Sequence, residues 1–477
     1  MKKTKLLLTY LLVCLLLSAC GFSLPTTPAA PTSSPQPSLP VPTDTPMPSP
    51  TSTSTPVPTA TPTPLPTSTP TPTPIPPTGS AWFGTDQGLC ALDSDGWKDY
   101  TAQLPEYGHR VEAMALDGQG RLWASVGSAV VVFDGANWQG YDPPGFYGVS
   151  AITFDGKGRA WFAHYEGVSV FDGTSWTTYG SDDFGLGEHA SMVTDLAVDA
   201  QDRVWIATAS GVSVFDGSAW TPYDESQGLP DESIAAVEAD AAGHVWLVHD
   251  KGLSAFDGER WEHHRLDFFL PEGSLAIDAE GRVWVTGWDE VKVFRGGEWT
   301  TYEGTEFCGH VQAIAVDSTG RAYVGTDQGD SIYDGEQWVH YRQATSGLVS
   351  DDVTVVVVSD SGPVSLPPLT EPRVGRVTGR VLRDGAPLEG AKVELCLSVG
   401  VFFSGSSPCA GQCFYASATT DAEGRFAFED VPVGTCEYAI KWGDKWYVRG
   451  FLGSEGIVVR EGETTVIEDY DLAEAEE

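Results

Sequence analysis

A repeat of about 40 residues restricts the fold of this chain more than any other feature. The segment GVSVFDGTSWTTY at 167–179 returns almost unchanged as GVSVFDGSAWTPY at 211–223. Each unit contains four short stretches of strand-forming residues separated by turns, which is typical of a propeller blade. Seven units are marked by an aromatic residue after a small turn, namely Trp82, Trp123, Trp161, Trp205, Trp246, Trp284 and Tyr323. The repeat predicts an all-β fold with a seven-bladed β-propeller over residues 80–362.

The two ends of the repeat region predict how the ring closes. The first unit begins at its second strand, because only PPTGS precedes the strand that contains Trp82. A matching first strand, VTVVVVSDSG, follows the seventh unit and has no Trp strand after it. We therefore expect residues 353–359 to pair with the first unit and complete its blade.

The variable loops of the repeat are the candidates for a binding face. In a propeller, the loops from second to third strand and from blade to blade emerge on the same face. Here these loops are long and variable, whereas the opposite turns are short and repeated, as in FDG. Loops on a rigid scaffold commonly carry binding residues; the alternative is that they vary because nothing constrains them. The candidates are Asp86, His164, Tyr165, Glu166, His249, Asp250, Trp288, Asp289, Glu290 and Asp327.

Motifs for chemistry are weak in this sequence. The D-x-x-G turns, such as 117–120, are not followed by the further carboxylates that a calcium loop requires. The nine His residues have no metal-ligand spacing, and no nucleophile or phosphate-loop motif stands out. We therefore predict no metal, no cofactor and no catalytic residue. Propeller enzymes assemble their sites from several blades, so an enzymatic function stays open.

The N-terminus predicts export and a lipid anchor. Residues 1–20 combine Lys2, Lys3 and Lys5 with an apolar run, as secretory signals do. The final LSAC resembles the lipobox of bacterial lipoproteins, and the resemblance implies that Cys20 is lipidated and becomes the mature N-terminus. An ordinary signal peptide or an anchor helix is the alternative. The expected location is extracytoplasmic, on the bacterial membrane and facing the cell surface.

Composition indicates a stalk and limits the partners. Residues 21–79 are almost wholly Pro, Thr and Ser, so they cannot bury a core and we expect a disordered linker. The formal net charge is −39. Such a chain repels nucleic acid and favours cationic partners, so nucleic-acid binding is excluded. We expect a monomer whose membrane contact is made through the lipid.

The residue pattern of the repeat resembles that of the two-component regulator propeller repeats of bacterial sensor proteins. The similarity covers roughly residues 80–362 and lies in G-R-x-W followed by G-[VL]-x-x-[FY]-D-G-x-x-W. In that family, tandem propellers form the extracytoplasmic ligand-sensing part of hybrid histidine kinases. From this sequence we expect one propeller where that family has two, and no kinase segment after it. The resemblance implies a sensory or binding role but not signalling by the chain itself.

A different pattern follows a Pro-rich hinge predicted at 363–373. The segments DGAPLEGAKVEL and TTDAEGRFAFEDVPVG resemble the carboxypeptidase regulatory-like, or transthyretin-like, domain. The similarity covers about residues 374–472 and implies a non-catalytic β-sandwich that acts as a spacer, folding aid or glycan binder. Residues 473–477 form an acidic tail.

Cysteine usage favours disulfides in the C-terminal domain. Cys396, Cys409, Cys413 and Cys436 allow three pairings, and the export signal favours two disulfides over a metal site at CAGQC. Cys90 and Cys308 lie in units 1 and 6, which are not neighbours in the ring. We expect these two cysteines to be unpaired.

Three functions remain. The leading hypothesis is a surface-displayed binding or sensory lipoprotein that recognises a glycan, a peptide or the ectodomain of a sensor protein on its long-loop face. The first alternative is a lyase or glycoside-cleaving propeller, similar to streptogramin lyases. The second alternative is a structural or adhesion component of the envelope.

Overall fold

The computed structural model describes the repeat region and most of the C-terminal region. The described residues are 80–104, 108–141, 148–187, 190, 192–231, 233–266, 274–303, 307–359, 364, 366–397, 407–409, 414–448 and 456–473. The predicted signal segment, Cys20 and the Pro/Thr/Ser linker lie outside these residues. Within them the chain is almost entirely β, which confirms the predicted fold class.

Seven four-stranded antiparallel sheets in the described residues form the blades of the propeller. Blades 1 to 3 use β1 (Ala81–Thr85), β2 (Gly88–Asp93), β3 (Gly96–Asp99), β4 (Val111–Leu116), β5 (Leu122–Val126), β6 (Ala129–Phe133), β7 (Trp138–Tyr141), β8 (Val149–Phe154), β9 (Ala160–His164), β10 (Gly167–Phe171) and β11 (Trp176–Tyr179). Blades 4 to 7 use β12 (Val193–Val198), β13 (Val204–Thr208), β14 (Gly211–Phe215), β15 (Trp220–Tyr223), β16 (Ile234–Ala239), β17 (Val245–His249), β18 (Gly252–Phe256), β19 (Trp261–Arg265), β20 (Leu275–Ile277), β21 (Val283–Thr286), β22 (Glu290–Arg295), β23 (Glu298–Glu303), β24 (Val311–Val316), β25 (Ala322–Thr326), β26 (Gly329–Tyr333) and β27 (Trp338–Tyr341).

The ring closes through β28 (Val353–Val358), which pairs antiparallel with β1 and supplies the first strand of blade 1. The first strands of successive blades contact one another around the axis. They therefore surround a central channel, and the loops that lead into them lie at one end of it. We call that end the loop face.

Helices are short in the described residues. They comprise the four-residue helix α1 (Ser181–Phe184) and the 3₁₀ turns Thr101–Gln103 and Glu225–Gln227. In the part of the chain that the structure describes, no helix has the length and apolar character needed to cross a membrane.

The repeated Trp residues hold the blades together from the opposite, short-turn face. In blade 4, the Nε1 of the buried Trp205 donates to Asp199 at 2.7 Å, and the Arg203 Nε donates to the same oxygen at 2.6 Å. The Trp205 ring stacks on Tyr223 with centroids 5.8 Å apart. Blades 2, 3 and 6 repeat this arrangement. The residues that recur most regularly along the chain therefore serve packing and hydrogen bonding.

The described strands from Val374 onward form a β-sandwich of two sheets. Its strands are β29 (Val374–Arg383), β30 (Ala386–Pro387), β31 (Lys392–Cys396), β32 (Tyr415–Thr419), β33 (Arg425–Pro432), β34 (Gly434–Trp442), β35 (Lys445–Val448), β36 (Ile457–Val459), β37 (Thr464–Val466) and β38 (Tyr470–Asp471). One sheet is centred on β29 and the other on β31 and β34. A single apolar cluster that includes Val377, Val393, Phe428 and Ile440 fills the space between them.

The described part of the predicted hinge lies along blade 7. Val364 is buried in the cluster between blades 7 and 1. Further along, the Tyr341 hydroxyl donates to the carbonyl of Pro367 at 2.9 Å, and the amide of Thr370 donates to the carbonyl of Thr345 at 3.0 Å. This segment is thus hydrogen-bonded to the propeller and is not a free connection.

The cysteines differ from the sequence prediction in two respects. Cys396 and Cys409 form a disulfide, but Cys436 is a free thiol buried in the sandwich core, so its predicted disulfide is wrong. Cys308 is disulfide-bonded, so its predicted unpaired state is also wrong, whereas Cys90 is free as expected. Cys413 lies outside the described residues. Spacing along a chain does not reveal which thiols the fold brings together, and this is why the prediction failed.

Candidate functional site

A β-bulge recurs at the loop-face end of the channel. In six blades the second residue of the first strand is skipped in the pairing with the next strand of the blade, as a bulge requires. The bulged residues are Glu112, Ser150, Thr194, Ala235, Gln312 and Thr354. Bulges commonly redirect side chains next to functional sites.

Five of the six bulged residues are polar, and these five divide into two groups. The hydroxyls of Ser150, Thr194 and Thr354 donate to a main-chain carbonyl of the neighbouring blade, at 2.7, 2.8 and 2.5 Å, and so connect adjacent blades. Glu112 and Gln312 make no such contact in the described chain. Their side chains line the mouth of the channel instead.

The channel is a large cavity that opens on the loop face. Its volume is about 890 Å³, and its walls are the first strands of the blades. A shallower cavity of about 420 Å³ lies over its mouth and shares Glu112, Ser150, Met192, Gln312 and Thr354 with it. Arg110 and Tyr165 complete the rim. Space and polar groups of this kind suit a small ligand or part of a larger one.

Two carboxyl groups line the channel below the mouth. Asp195 on β12 accepts hydrogen bonds from the amides of Val237 at 2.9 Å and Leu196 at 2.8 Å. Burial raises the pKa of Asp195 to about 6. Burial, together with the charge of the nearby Asp195, raises the pKa of Glu238 on β16 to about 8. At neutral pH this part of the channel therefore holds a carboxylic acid next to a carboxylate.

Neither acid is among the candidates predicted from the sequence, although the repeats carry a signal for both. The positions equivalent to Asp195 in blades 2, 3, 5 and 7 are all Ala, namely Ala113, Ala151, Ala236 and Ala313. The positions equivalent to Glu238 include Ala115, Ala197, Ala276 and Ala315. A comparison of repeats strand by strand singles out both acids as departures from a small residue.

Two predicted residues present large aromatic surfaces on the loop face. Tyr165 is 68% exposed and Trp288 is 51% exposed. Tyr165 lies at the tip of the hairpin between β9 and β10, and Trp288 lies at the same place between β21 and β22. Blades 3 and 6 lie on nearly opposite sides of a seven-membered ring. The structure thus brings an aromatic ring to each side of the face, and Tyr165 also lines the mouth cavity.

The two predicted histidines lie inside their blades rather than on the loop face. His164 is 3% exposed and its Nε2 lies 3.1 Å from the Ser169 Oγ, while the His249 Nε2 lies 2.7 Å from the Ser254 Oγ. Burial lowers the pKa of both rings, that of His249 to about 4. Each ring fills a polar position in its own sheet, so neither histidine can meet a ligand there.

The remaining candidates are carboxylates on the loop face in different surroundings. Asp327 bonds His310 at 2.9 Å, and this contact raises the pKa of the imidazole. Glu290 lies 3.3 Å from Lys292, and the backbone amide of Asp86 donates to the carbonyl of Asp352. The side chains that are simply exposed to solvent are Glu166, Asp250 and Asp289.

The site offers hydrogen-bonding and acidic groups rather than a constellation for metal chemistry. In the described ranges, no group of three or more His, Cys, Asp or Glu side chains is placed to hold a metal ion. Arg110 at the mouth is half-exposed and its guanidinium lies 4.0 Å from Asp352. The site therefore presents polar and charged groups, with aromatic surface at its edge.

Comparisons with known proteins concern the fold. No protein-family model and no curated protein sequence matches the chain. The chain is similar to the extracellular domains of two B. thetaiotaomicron proteins described as a hybrid two component system and a one component system. The identities are 15% and 12%, the TM-scores are 0.46 and 0.45, and 82% and 81% of this chain is covered. This chain spans 54% and 60% of the length of those two domains.

A third similar structure is a catalytically inactive virginiamycin B lyase from Staphylococcus aureus with quinupristin. Its identity is 12% and its TM-score is 0.44, with 52% of this chain and 92% of that chain covered. At these identities and TM-scores the likenesses carry no argument about the function of this chain.

Proposed function

We propose that this protein is an extracytoplasmic binding protein whose ligand is held at the loop-face mouth of the propeller channel. The observation that carries the proposal is a continuous cavity whose mouth is lined by Arg110, Glu112, Tyr165, Met192 and Gln312. These side chains differ from blade to blade, whereas the residues that repeat are buried within and between blades. Variation confined to a polar, open cavity is what a ligand-specific surface requires.

A lipid anchor at Cys20 and a stalk over residues 21–79 complete the proposal. The apolar segment before LSAC and the Pro/Thr/Ser composition after it support this arrangement. Acyl chains hold a protein on a bilayer through about 0.8 kcal/mol per buried CH₂. Labelling of cells with a radioactive fatty acid tests the anchor, and Cys20→Ala is expected to lose the label and leave the membrane fraction.

Binding is tested with the full chain on arrays of peptides and oligosaccharides. Tyr165→Ala is expected to lower the affinity for any true ligand at least tenfold, because it removes the aromatic wall of the mouth cavity. Val466→Ala serves as the control, because Val466 is 72% exposed but lies on β37 of the sandwich. Ligands that bind both variants as tightly as the wild type, or an array with no binding, would overturn the proposal.

A further inference from the structure

The described residues that form the channel walls are acidic and include no cation that compensates their charge. Glu112 lies at the mouth, and Asp195 and Glu238 lie below it. Arg110 at the rim is the only basic side chain among the described residues that line the two cavities, and it is directed to Asp352. No ion pair joins any of the three acids to a cation of the described chain. The cavity therefore presents negative charge to whatever enters it.

The two deeper acids, Asp195 and Glu238, lower the stability of the folded protein when the channel is empty. They replace alanines of the repeat, and together they place two carboxyl groups in one partly desolvated space. Backbone amides satisfy Asp195 in part, whereas no cation among the described residues pairs with Glu238, and the charge of Asp195 disfavours its ionised form. Opposite charge within a few ångströms favours the ionised form of a carboxyl group, and like charge disfavours it. A cation in the channel would stabilise the ionised form of both groups.

The rim adds a second element that suits a cation. The Tyr165 ring is exposed at the edge of the mouth, and the Trp288 ring lies across the face. Aromatic faces attract ammonium and guanidinium groups, and their apolar area packs against the carbon chain that carries such a group. A net charge of −39 draws positively charged ligands to the protein from solution.

We propose, on the basis of the binding function above, that the channel selects ligands carrying a primary ammonium or guanidinium group, which enters past Tyr165 and lies between Asp195 and Glu238. Both carboxyl groups are ionised in the complex. Glu238 is largely protonated in the free protein at neutral pH, so binding at pH 7 releases a proton. Affinity consequently rises with pH across the range in which the two acids ionise.

The test compares charged probes with neutral counterparts on the full chain. The probes are peptides containing Lys or Arg, the same peptides with acetylated Lys or with citrulline, spermidine, and neutral oligosaccharides. Charged probes are expected to bind at least tenfold more tightly than their neutral counterparts. If only spermidine binds, the ligand is a free amine. If only the peptides bind, the ligand is a basic peptide. Either result supports the inference. Equal binding of charged and neutral probes would overturn it.

Calorimetry in buffers of different ionisation enthalpy supplies an independent readout. Wild type is expected to release close to one proton on binding at pH 7, and Glu238→Gln is expected to release none and to bind at least tenfold more weakly. Asp195→Asn keeps an acceptor for the Val237 amide and tests the second acid. The control is Asp444→Asn, an exposed acid of the sandwich, and thermal melting verifies that each variant is folded.

The outcomes separate this inference from the proposed function. A ligand that loses affinity in Tyr165→Ala but binds without charge preference or proton release overturns the cation selectivity and leaves the binding site standing. A ligand that is insensitive to Tyr165→Ala overturns both.

Discussion

Asp330 is a carboxyl group buried beside the seam at which the ring closes. It is the second residue of β26, and the equivalent residues of the other six blades are aliphatic: Leu89, Val130, Val168, Val212, Leu253 and Val291. Asp330 is 1% exposed, and within the described residues neither of its carboxylate oxygens has a hydrogen-bond partner. Burial raises the pKa of Asp330 well above its ordinary value. When Asp330 is ionised, its charge contributes to the raised pKa of the Cys90 thiol in blade 1.

This burial makes the stability of the fold depend on pH in a calculable way. A carboxyl group with a raised pKa in the folded protein lowers the free energy of unfolding as the pH rises above its unfolded pKa of about 3.9. While the folded carboxyl stays protonated and the unfolded one is ionised, the loss is about 1.4 kcal/mol per pH unit. Asp330→Asn does not titrate and escapes this loss. Asp330→Val also regains an apolar contact worth about 2 kcal/mol.

Urea unfolding of the full chain, followed by tryptophan fluorescence at several pH values, measures these differences. Asp330→Asn is expected to match the wild type near pH 4 and to exceed it increasingly at higher pH, by about 1.4 kcal/mol for each further pH unit over which the folded carboxyl stays protonated. Asp330→Val is expected to be more stable than the wild type throughout. Asp250→Asn is the control, because Asp250 is exposed to solvent. Parallel pH profiles for wild type and Asp330→Asn would refute the reasoning.

Three further predictions concern other parts of the fold. Asp199→Ala leaves the Trp205 Nε1 and the Arg203 guanidinium without their shared acceptor and should lower the free energy of unfolding by about 3 kcal/mol; an unchanged urea midpoint would contradict this. His249 has a pKa near 4 because it is buried. Acidification from pH 6.5 to 4 should therefore lower the free energy of unfolding of the wild type by about 3 kcal/mol more than that of His249→Gln. Urea unfolding at both pH values measures this difference. Replacing Cys396 and Cys409 by Ala removes a crosslink with a sequence separation of 13 and should cost about 3 kcal/mol; a sandwich equally stable with and without reductant would argue against it.

The sequence by itself determined the blades. Strand-length segments, Gly turns and a Trp at each equivalent position are local properties, and their spacing allowed seven units of four strands to be predicted. The same alternation predicted strands in residues 374–472. Local patterns of this kind suffice for the fold because each blade pairs mainly with itself and packs only on its neighbours.

The tertiary structure decided which residues meet at the site. Loop position alone suggested His164 and His249, but pairing turns these side chains into their own blades, where Ser169 and Ser254 bind them. Asp195 and Glu238 lie more than 40 residues apart, and only the closed ring brings them into one channel. The sequence likewise did not reveal which cysteines lie close together, because packing and not spacing along the chain places Cys436 and Cys308. A sequence records periodicity, whereas a site at the centre of a ring depends on the distances between blades.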